Sequence, residues 1–150
     1  MKRGDNVPDL ELNDQNGDKF KFEDLKGEKA FVVYFYPKDF TPGCTKEACS
    51  FRDSYEEFKD LGAEVIGISA DSAKSHAKFA KRYNLPYIFL SDVNKKARDA
   101  FGVKPNLLGL LPGRETFVFD KEGKLLHKFN SMNANRHMPE ALSILKKNQN

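Results

Sequence analysis

The feature that most constrains this chain is an apolar run at residues 30–36, AFVVYFY, which ends at Pro37. The run lacks the alternation of a strand with one exposed face, so it predicts a central strand covered on both faces. It is far too short to span a bilayer. Both cysteines of the chain lie in the next stretch, residues 37–49 (PKDFTPGCTKEAC). Both cysteines are therefore predicted to lie in the element that directly follows this buried strand.

That element is predicted to be a long amphipathic helix over residues 42–61. Thr41 suits its N-cap and Pro42 its first helical position, whereas Gly62 suits the residue just past its end. Its apolar residues recur at spacings of four and three, as on one helix face, and they are Cys44, Ala48, Phe51, Tyr55 and Phe58. Cys44 therefore lies on the core-facing stripe, and Cys49 lies well off it.

The remaining pattern alternates strands with helices and predicts an α/β fold, a mixed sheet flanked by helices with an N-terminal β-hairpin extension. A βαβ unit followed by a ββα unit is the layout of a thioredoxin-like fold, whose catalytic cysteine occupies the position of Cys44. The predicted elements are a hairpin (residues 10–13 and 19–22), a helical turn (23–27), strands at 64–69 and 87–90, helices at 72–83 and 94–101, an apolar loop (103–113), a second hairpin (115–119 and 124–129) and a last helix (136–147).

Composition indicates one globular domain over residues 1–150, because 39% of the chain is hydrophobic and 31% charged, without linkers or repeats. The net charge of +3 comes from interleaved charges, and the alternation KFKF at residues 19–22 favours a half-buried strand over a nucleic-acid stacking surface. We expect neither nucleic-acid nor membrane partners. The N-terminus has no apolar segment behind its basic residues, which predicts a cytoplasmic protein, or a chloroplast one if a transit peptide has been removed.

The start of the long helix favours a reactive thiolate. Cys44 falls in the first turn, where backbone N–H groups lack intrahelical partners and the helix dipole favours an anion. Gly43 lets the backbone approach a ligand closely, and Pro42 shields one side without adding a competing donor.

Other readings of the cysteines stay open at this point. Cys-x4-Cys could be half a zinc site, although no second Cys or His pair stands at ligand spacing. A cysteine hydrolase would need a histidine base, for which His127 and His137 are the candidates. A thioredoxin-like thiol-disulfide carrier would be expected to contain Cys-x-x-Cys, which is absent.

Residues 37–44 read Pro-x-x-x-Thr-x-x-Cys, and this motif resembles the active site of the peroxiredoxins. The longer TPGCTKEAC resembles the peroxiredoxin Q (bacterioferritin comigratory protein) branch, and LPGR at residues 111–114 is similar to its cyanobacterial and chloroplast members. The resemblance covers essentially the whole chain. It implies a thiol-dependent peroxidase that reduces hydrogen peroxide and organic hydroperoxides without metal, haem or flavin.

The resemblance also implies roles for the two cysteines. Cys44 would be the peroxidatic cysteine, which attacks the peroxide O–O bond and becomes a sulfenic acid. Cys49 would be the resolving cysteine, which condenses with the sulfenic acid to an intramolecular Cys44–Cys49 disulfide. Thioredoxin or a similar dithiol would then reduce the disulfide, and the family favours a monomer.

Four further residues take their expected roles from the same resemblance. The Thr41 hydroxyl would bond the thiolate and the peroxide. Arg114 would place a guanidinium beside sulfur and substrate and stabilise the charge shifting to the leaving oxygen. Pro37 and Pro42 would shape the pocket and keep it dry.

The geometry of an ideal helix keeps Cys44 and Cys49 too far apart to form a disulfide. Residues five apart on an ideal helix have Cα atoms roughly 8–9 Å apart and point about 140° apart around the axis. A disulfide needs a Cα separation below about 7 Å. The helix must therefore unwind locally before Cys44 and Cys49 can bond. The apolar loop at residues 107–111 is read either as core cover or as a docking patch for a reductant or another subunit.

Overall fold

The computed structural model describes residues 1–105 and 113–148, and within them seven strands form one mixed sheet. The strands are β1 (Glu11–Asp14), β2 (Lys19–Lys21), β3 (Ala30–Phe35), β4 (Ala63–Ser69), β5 (Ile88–Ser91), β6 (Glu115–Phe119) and β7 (Leu125–Asn130). The helices are α1 (Pro42–Asp53), α2 (Tyr55–Asp60), α3 (Ala73–Tyr83), α4 (Lys96–Phe101) and α5 (His137–Asn148), with short 3₁₀ turns at Phe22–Leu25 and Ala134–Arg136.

The apolar run forms the strand expected of it, because β3 lies inside the sheet order β2-β1-β5-β4-β3-β6-β7. It pairs parallel to β4 and antiparallel to β6. Val32 and Tyr34 pack into the apolar core on one face of the sheet, and Phe31, Val33 and Phe35 pack into the core on the other. Both faces are therefore covered, which explains why the run does not alternate with polar residues. No helix in the described ranges is long and apolar enough to cross a membrane.

The long helix predicted over residues 42–61 is wrong in one respect, because it is broken into α1 and α2 at Ser54. The backbone of Ser54 leaves the helical region, with φ −107° and ψ 8°. Phe51 and Phe58 are nevertheless buried in the same core on either side of the break. A single non-helical residue leaves the apolar spacing intact, so the sequence pattern could not reveal it.

The other predicted boundaries shift by at most two residues, and two of these shifts have a clear local cause. The second strand of the N-terminal hairpin ends at Lys21, because Phe22 is buried as the first residue of a 3₁₀ turn. The helix predicted from residue 94 begins at Lys96, after Lys95 has adopted a left-handed conformation with φ 59°. The apolar loop at residues 107–111 lies outside the described residues, so its two alternatives stay predictions.

Candidate active site

The site lies just beyond the carboxyl end of β3, at the first turn of α1. Cys44 is only 1% exposed there, in line with its place on the core-facing stripe. Thr41 occupies the N-cap position and Pro42 the first helical position, as predicted. The Thr41 hydroxyl does not cap the helix, however, because it donates to the Lys38 carbonyl oxygen at 2.9 Å. The Thr41 hydroxyl thus bonds the loop backbone rather than the Cys44 sulfur.

Arg114 directly precedes β6, the strand that pairs with β3, and its side chain reaches Cys44. Glu115 stands opposite Phe35 in the antiparallel register, so Arg114 is placed beside the end of β3. Its side chain is buried, and Nη2 donates to the Cys44 Sγ at 3.4 Å. A Cβ added at Gly43 would meet Nη2 at 3.3 Å. Gly43 therefore makes room for the guanidinium, and the predicted pairing of Arg114 with Cys44 is present.

Glu47 is a site residue that the sequence reasoning missed. Its side chain is fully buried one turn beyond Cys44 on α1, and its Oε1 accepts a hydrogen bond of 2.5 Å from Arg114 Nη1. Burial raises the pKa of Glu47 from 4.5 to about 8, although the Arg114 charge and hydrogen bond act to lower it. Its position three residues after Cys44, on the same helix face, is the signal that could have identified it.

His137 lies behind Glu47 and completes the buried cluster. Its Nε2 donates to the Ser131 carbonyl oxygen at 2.7 Å, and its Nδ1 accepts from the Thr116 hydroxyl at 2.7 Å. Burial lowers the pKa of His137 to about 4, so the ring is neutral. Both ring nitrogens are thus engaged, and the nearer charged group is Glu47, whose Oε2 lies 3.7 Å from Nδ1. This arrangement gives no support to His137 as a base for Cys44.

The other two histidines are also engaged away from the sulfur. His127 Nε2 lies 3.1 Å from Glu140 Oε1. His76 is fully buried, with Nδ1 2.8 Å from Asp39 Oδ2 and Nε2 3.0 Å from the Leu90 carbonyl oxygen. The hydrolase reading, which offered His127 or His137 as a base, therefore finds no support in the arrangement of these side chains.

The loop between β3 and α1 is fixed through Asp39, a second residue that the sequence reasoning did not single out. Its carboxylate accepts hydrogen bonds from the Tyr36 hydroxyl at 2.5 Å and the Ser75 hydroxyl at 2.8 Å, beside His76. Its backbone N–H donates to Asp71 Oδ2 at 2.8 Å. Asp39, Asp71 and His76 bring ligand-type atoms within 4.8 Å of one another. These contacts tie the loop to α3 and to the segment between β4 and α3.

The same loop is shaped by an unusual backbone at Phe40. Phe40 has φ 68°, a left-handed conformation that a bulky residue rarely adopts. Its half-exposed ring packs against Phe79 with ring centroids 5.2 Å apart. Pro37 is half-buried and Pro42 is exposed. Of the two prolines expected to line the pocket, only Pro37 is covered to any extent by the surrounding chain.

Arg98 is a second buried cation near the site that sequence reasoning missed. It is 7% exposed, and its guanidinium donates to the Tyr36 carbonyl oxygen at 3.0 Å and the Gly113 carbonyl oxygen at 3.2 Å. Burial lowers the pKa of Arg98, against the opposing charges of Asp92 and Cys44. Arg98 thus joins the backbone just before Pro37 to the backbone just before Arg114. Nothing in its local sequence marks it apart from other helix arginines.

The two cysteines are separated as predicted. Both are free and lie on α1, with Cys44 buried and Cys49 partly exposed. Between them, the Ala48 carbonyl oxygen accepts a hydrogen bond of 2.8 Å from the Tyr87 hydroxyl. Tyr87 in turn shares a hydrogen bond of 2.8 Å with the Tyr34 hydroxyl. The segment that joins the cysteines is therefore anchored to the core by a side chain outside the helix.

Comparison with known proteins gives consistent matches along the chain. The model of the family described as AhpC/TSA matches residues 3–128. Peroxiredoxin Q, chloroplastic, of Sedum lineare is 50% identical over 146 residues, which cover 97% of this chain and 78% of that protein. Peroxiredoxin Q, chloroplastic, of Arabidopsis thaliana is 51% identical over 148 residues, 97% of this chain and 68% of that protein.

A solved structure is similar over almost the whole chain. The crystal structure of peroxidoxin BcpB from Mycobacterium tuberculosis superposes with a TM-score of 0.90 at 42% sequence identity. The match covers 98% of this chain and 97% of that one. The mixed sheet flanked by helices is thus the thioredoxin-like fold that the element order predicts.

Proposed function

This chain belongs to the AhpC/TSA family and is a thiol-dependent peroxidase related to peroxiredoxin Q, and we propose that Cys44 is its peroxidatic and Cys49 its resolving cysteine. The observation that carries the assignment of Cys44 is the hydrogen bond from Arg114 Nη2 to its sulfur, at a helix N-terminus and in a buried setting. A guanidinium and unpaired helix N–H groups both favour the thiolate, which is the attacking form of cysteine.

In the peroxide step, the thiolate attacks the outer peroxide oxygen and forms a sulfenic acid. Negative charge moves from the sulfur to the oxygen that leaves. Arg114 is already oriented at the sulfur by its second bond to Glu47, so its charge can follow that shift without reorganisation. Gly43 keeps the guanidinium close, and Pro37 and Pro42 border the loop through which a peroxide would approach.

Thr41 is proposed to contribute its hydroxyl to peroxide binding. In the structure this hydroxyl donates to the Lys38 carbonyl oxygen, which fixes the Thr41 oxygen at the start of α1. The oxygen keeps lone pairs that can accept a hydrogen bond from the peroxide while the donated bond persists. Replacement of Thr41 by valine, which keeps the shape and removes the hydroxyl, is expected to raise KM for peroxide.

In the resolving step, the Cys49 thiol condenses with the Cys44 sulfenic acid, and water leaves as the disulfide forms. Both cysteines lie within α1, so the helix must open between them first. The proposed reductant of the disulfide is thioredoxin or a similar dithiol, and the proposed substrates are hydrogen peroxide and organic hydroperoxides.

Thioredoxin-coupled peroxide reduction by the wild type and by the Cys44→Ser and Cys49→Ser variants tests these assignments. Cys44→Ser should abolish turnover. Cys49→Ser should consume one equivalent of peroxide and then fail to turn over with thioredoxin. A Cys49→Ser variant with undiminished thioredoxin-linked turnover would refute the resolving role. A wild type that exchanges disulfides with thioredoxin but does not consume peroxide would instead favour a thiol-disulfide carrier.

The cellular location and the oligomeric state are proposals as well. The sequence predicts the cytoplasm with the chloroplast as alternative, and the names of the plant relatives support the alternative. Immunodetection in fractionated source cells tests it. A monomer is supported by the described surface, where the exposed large apolar side chains are limited to Phe40, Val93 and Met132. Light scattering of the reduced protein should give the mass of one chain.

A further inference from the structure

The buried carboxyl group of Glu47 is placed so that it competes with Cys44 for one positive charge. Arg114 donates from Nη2 to the Cys44 sulfur and from Nη1 to Glu47 Oε1. The Glu47 side chain is fully buried and that of Cys44 almost so. Two anions on one buried guanidinium would leave a net negative charge in a dry site, which is costly.

The other carboxyl oxygen of Glu47 does not face a donor. In the described part of the chain, Oε2 is buried without a hydrogen-bond partner. His137 Nδ1 lies 3.7 Å from it. Since Nε2 of that ring donates to the Ser131 carbonyl oxygen, Nδ1 has no proton to donate, and its lone pair already accepts from the Thr116 hydroxyl. An ionised Oε2 would thus be unsatisfied, which favours a protonated carboxyl group.

The other ionisable groups around Glu47 do not supply the positive charge that an ionised carboxyl group would need. Tyr34 of β3 and Tyr87, just before β5, interact electrostatically with Glu47, and burial raises the pKa of both well above the ordinary value. Both phenols are therefore neutral near pH 7, as is His137 of α5. Arg114 is left as the one cation that the described residues place against this carboxyl group, and it is shared with Cys44.

We propose that Glu47 holds a proton while Cys44 is a thiolate and releases it when the sulfur is oxidised, so that the enzyme itself supplies the proton taken up by the leaving oxygen. This inference rests on the proposed peroxidase chemistry of Cys44. Loss of the thiolate charge frees Arg114 to pair with a Glu47 carboxylate, which then needs no proton. Arg114 remains the cation of the site, and its anionic partner changes from the Cys44 thiolate to the Glu47 carboxylate.

The step balances in atoms and electrons. The sulfur electron pair forms an S–O bond to the outer oxygen, which keeps its own proton, and the O–O bond breaks with its electron pair on the departing oxygen. The sulfur is oxidised by two electrons to the sulfenic acid and the peroxide is reduced. The departing alkoxide or hydroxide takes up one proton and leaves as an alcohol or water, and the proton that Glu47 releases balances this uptake. When a dithiol later reduces the disulfide, one of its protons goes to Cys49 and the other returns to Glu47.

The test counts protons in a single turnover of the full chain. Cys49→Ser protein, which stops at the sulfenic acid, is mixed with one equivalent of hydrogen peroxide at pH 7 in weak buffer with a pH indicator. With a pKa of about 8, roughly nine-tenths of Glu47 is protonated at this pH. The Cys49→Ser/Glu47→Gln variant should therefore take up more protons from solvent per peroxide than Cys49→Ser alone, by at most about 0.9. The difference should shrink as the pH is raised above about 8.

Two controls keep the result interpretable. Glu57→Gln in the same background removes a half-exposed carboxylate that pairs with Lys146, and it should leave the proton count unchanged. The ultraviolet absorbance of the thiolate, measured before mixing, corrects for any change in the Cys44 thiolate fraction. If the glutamine variant folds poorly, the infrared difference spectrum of Cys49→Ser should still show loss of a protonated carboxyl band upon oxidation.

The outcomes distinguish failure of the proton role from failure of the proposed function. Failure of Cys49→Ser to consume peroxide would overturn the proposed function. Peroxide consumption with equal proton uptake in the presence and absence of the Glu47→Gln substitution, or with no carboxyl band lost, would overturn the role of Glu47 alone. A merely structural role of Glu47 in orienting Arg114 would change the rate but leave the proton count as it is.

Discussion

At the scale of the residue, Arg114 connects the Cys44 sulfur to the buried Glu47 carboxyl group. It bonds both Cys44 and Glu47, and it is itself buried. Removal of the guanidinium would therefore act on catalysis directly and on stability through Glu47. The effect on stability is moderated because Glu47, whose pKa is raised to about 8, is already mostly protonated near pH 7 and leaves little unpaired charge.

Replacement of Arg114 by alanine is expected to lower the rate constant of Cys44 with peroxide by about 10²–10³-fold, because preorganised charge at the leaving oxygen is lost. Stopped-flow measurement of peroxide consumption, beside denaturant unfolding, checks both effects. Arg82→Ala is the matched control, since that guanidinium lies over the Tyr83 ring on α3. A rate that falls no further than in Arg82→Ala would contradict the assignment.

Glu47 and Arg98 are two site residues that were not identified from the sequence. The motif residues Cys44 and Arg114 could be identified because their pattern and resemblance are specific. Glu47 shares a helix face with Cys44, but its sequence does not show that it is buried against Arg114. Arg98 is an ordinary helix residue in sequence, and its bond to the Gly113 carbonyl oxygen makes it part of the site. Burial of a charged group depends on the tertiary structure, which a single sequence reports weakly.

At the scale of the element, the proposed chemistry requires α1 to hold the Cys44 thiolate in place and also to open between the two cysteines. The Tyr87 hydroxyl anchors α1 to the core through the Ala48 carbonyl oxygen, directly before Cys49. The break at Ser54 ends α1 soon after Cys49, so the segment that must unwind is short. The apolar periodicity predicted the helix and the placement of both cysteines, but neither the break nor the anchor.

Replacement of Tyr87 by phenylalanine is expected to speed formation of the Cys44–Cys49 disulfide after oxidation by up to about tenfold. The hydroxyl bond to Ala48 exists only while α1 is folded, and a buried hydrogen bond contributes about 0.5–1.5 kcal/mol. Quenched-flow mass spectrometry of the disulfide measures the rate. Tyr34→Phe is the control, because its hydroxyl bonds Tyr87 and leaves the Ala48 bond in place. An unchanged or slower rate in Tyr87→Phe would rule out the anchor.

Arg98 connects two parts of the sheet, because it holds the end of β3 against the residue before Arg114. In Arg98→Met the aliphatic stem is kept, and the Tyr36 and Gly113 carbonyl groups lose their donor, at a cost of roughly 1–3 kcal/mol each where buried. We expect the peroxide rate constant to fall about tenfold or more as Arg114 loses its fixed position. Partial recovery by Arg98→Lys, which can still donate, would support this role, whereas equal losses in both variants would argue against it.

At the scale of the whole molecule, Glu47 and His137 impose opposite pH dependences on folding. Glu47 has a native pKa of about 8 against 4.5 ordinarily, so between these values the native state holds a proton that the unfolded state lacks. His137 has a native pKa of about 4 against 6.5, so in that interval the unfolded state binds the extra proton. Stability falls with rising pH through the first effect and rises through the second.

The two contributions overlap below pH 6.5 and separate above it. Between pH 4.5 and 6.5 they largely cancel. From pH 6.5 to 8 only Glu47 acts, and its contribution to the free energy of unfolding should decline with a slope approaching about 1.4 kcal/mol per pH unit. Glu47 is thus a buried acid that is mostly neutral below a pH of about 8.

Denaturant unfolding of the reduced wild type and of Glu47→Gln across pH 4.5 to 8.5 tests this arrangement. The stability difference between the two proteins is expected to shift steadily against the wild type as the pH rises toward 8, because only the wild type loses the contribution of a buried proton. Glutamine cannot ionise, so the variant keeps only the His137 effect and should level off above pH 6.5. Glu57→Gln should parallel the wild type at every pH. Parallel curves for wild type and Glu47→Gln would mean that Glu47 ionises alike in the native and unfolded chain, and the buried proton would have to be abandoned.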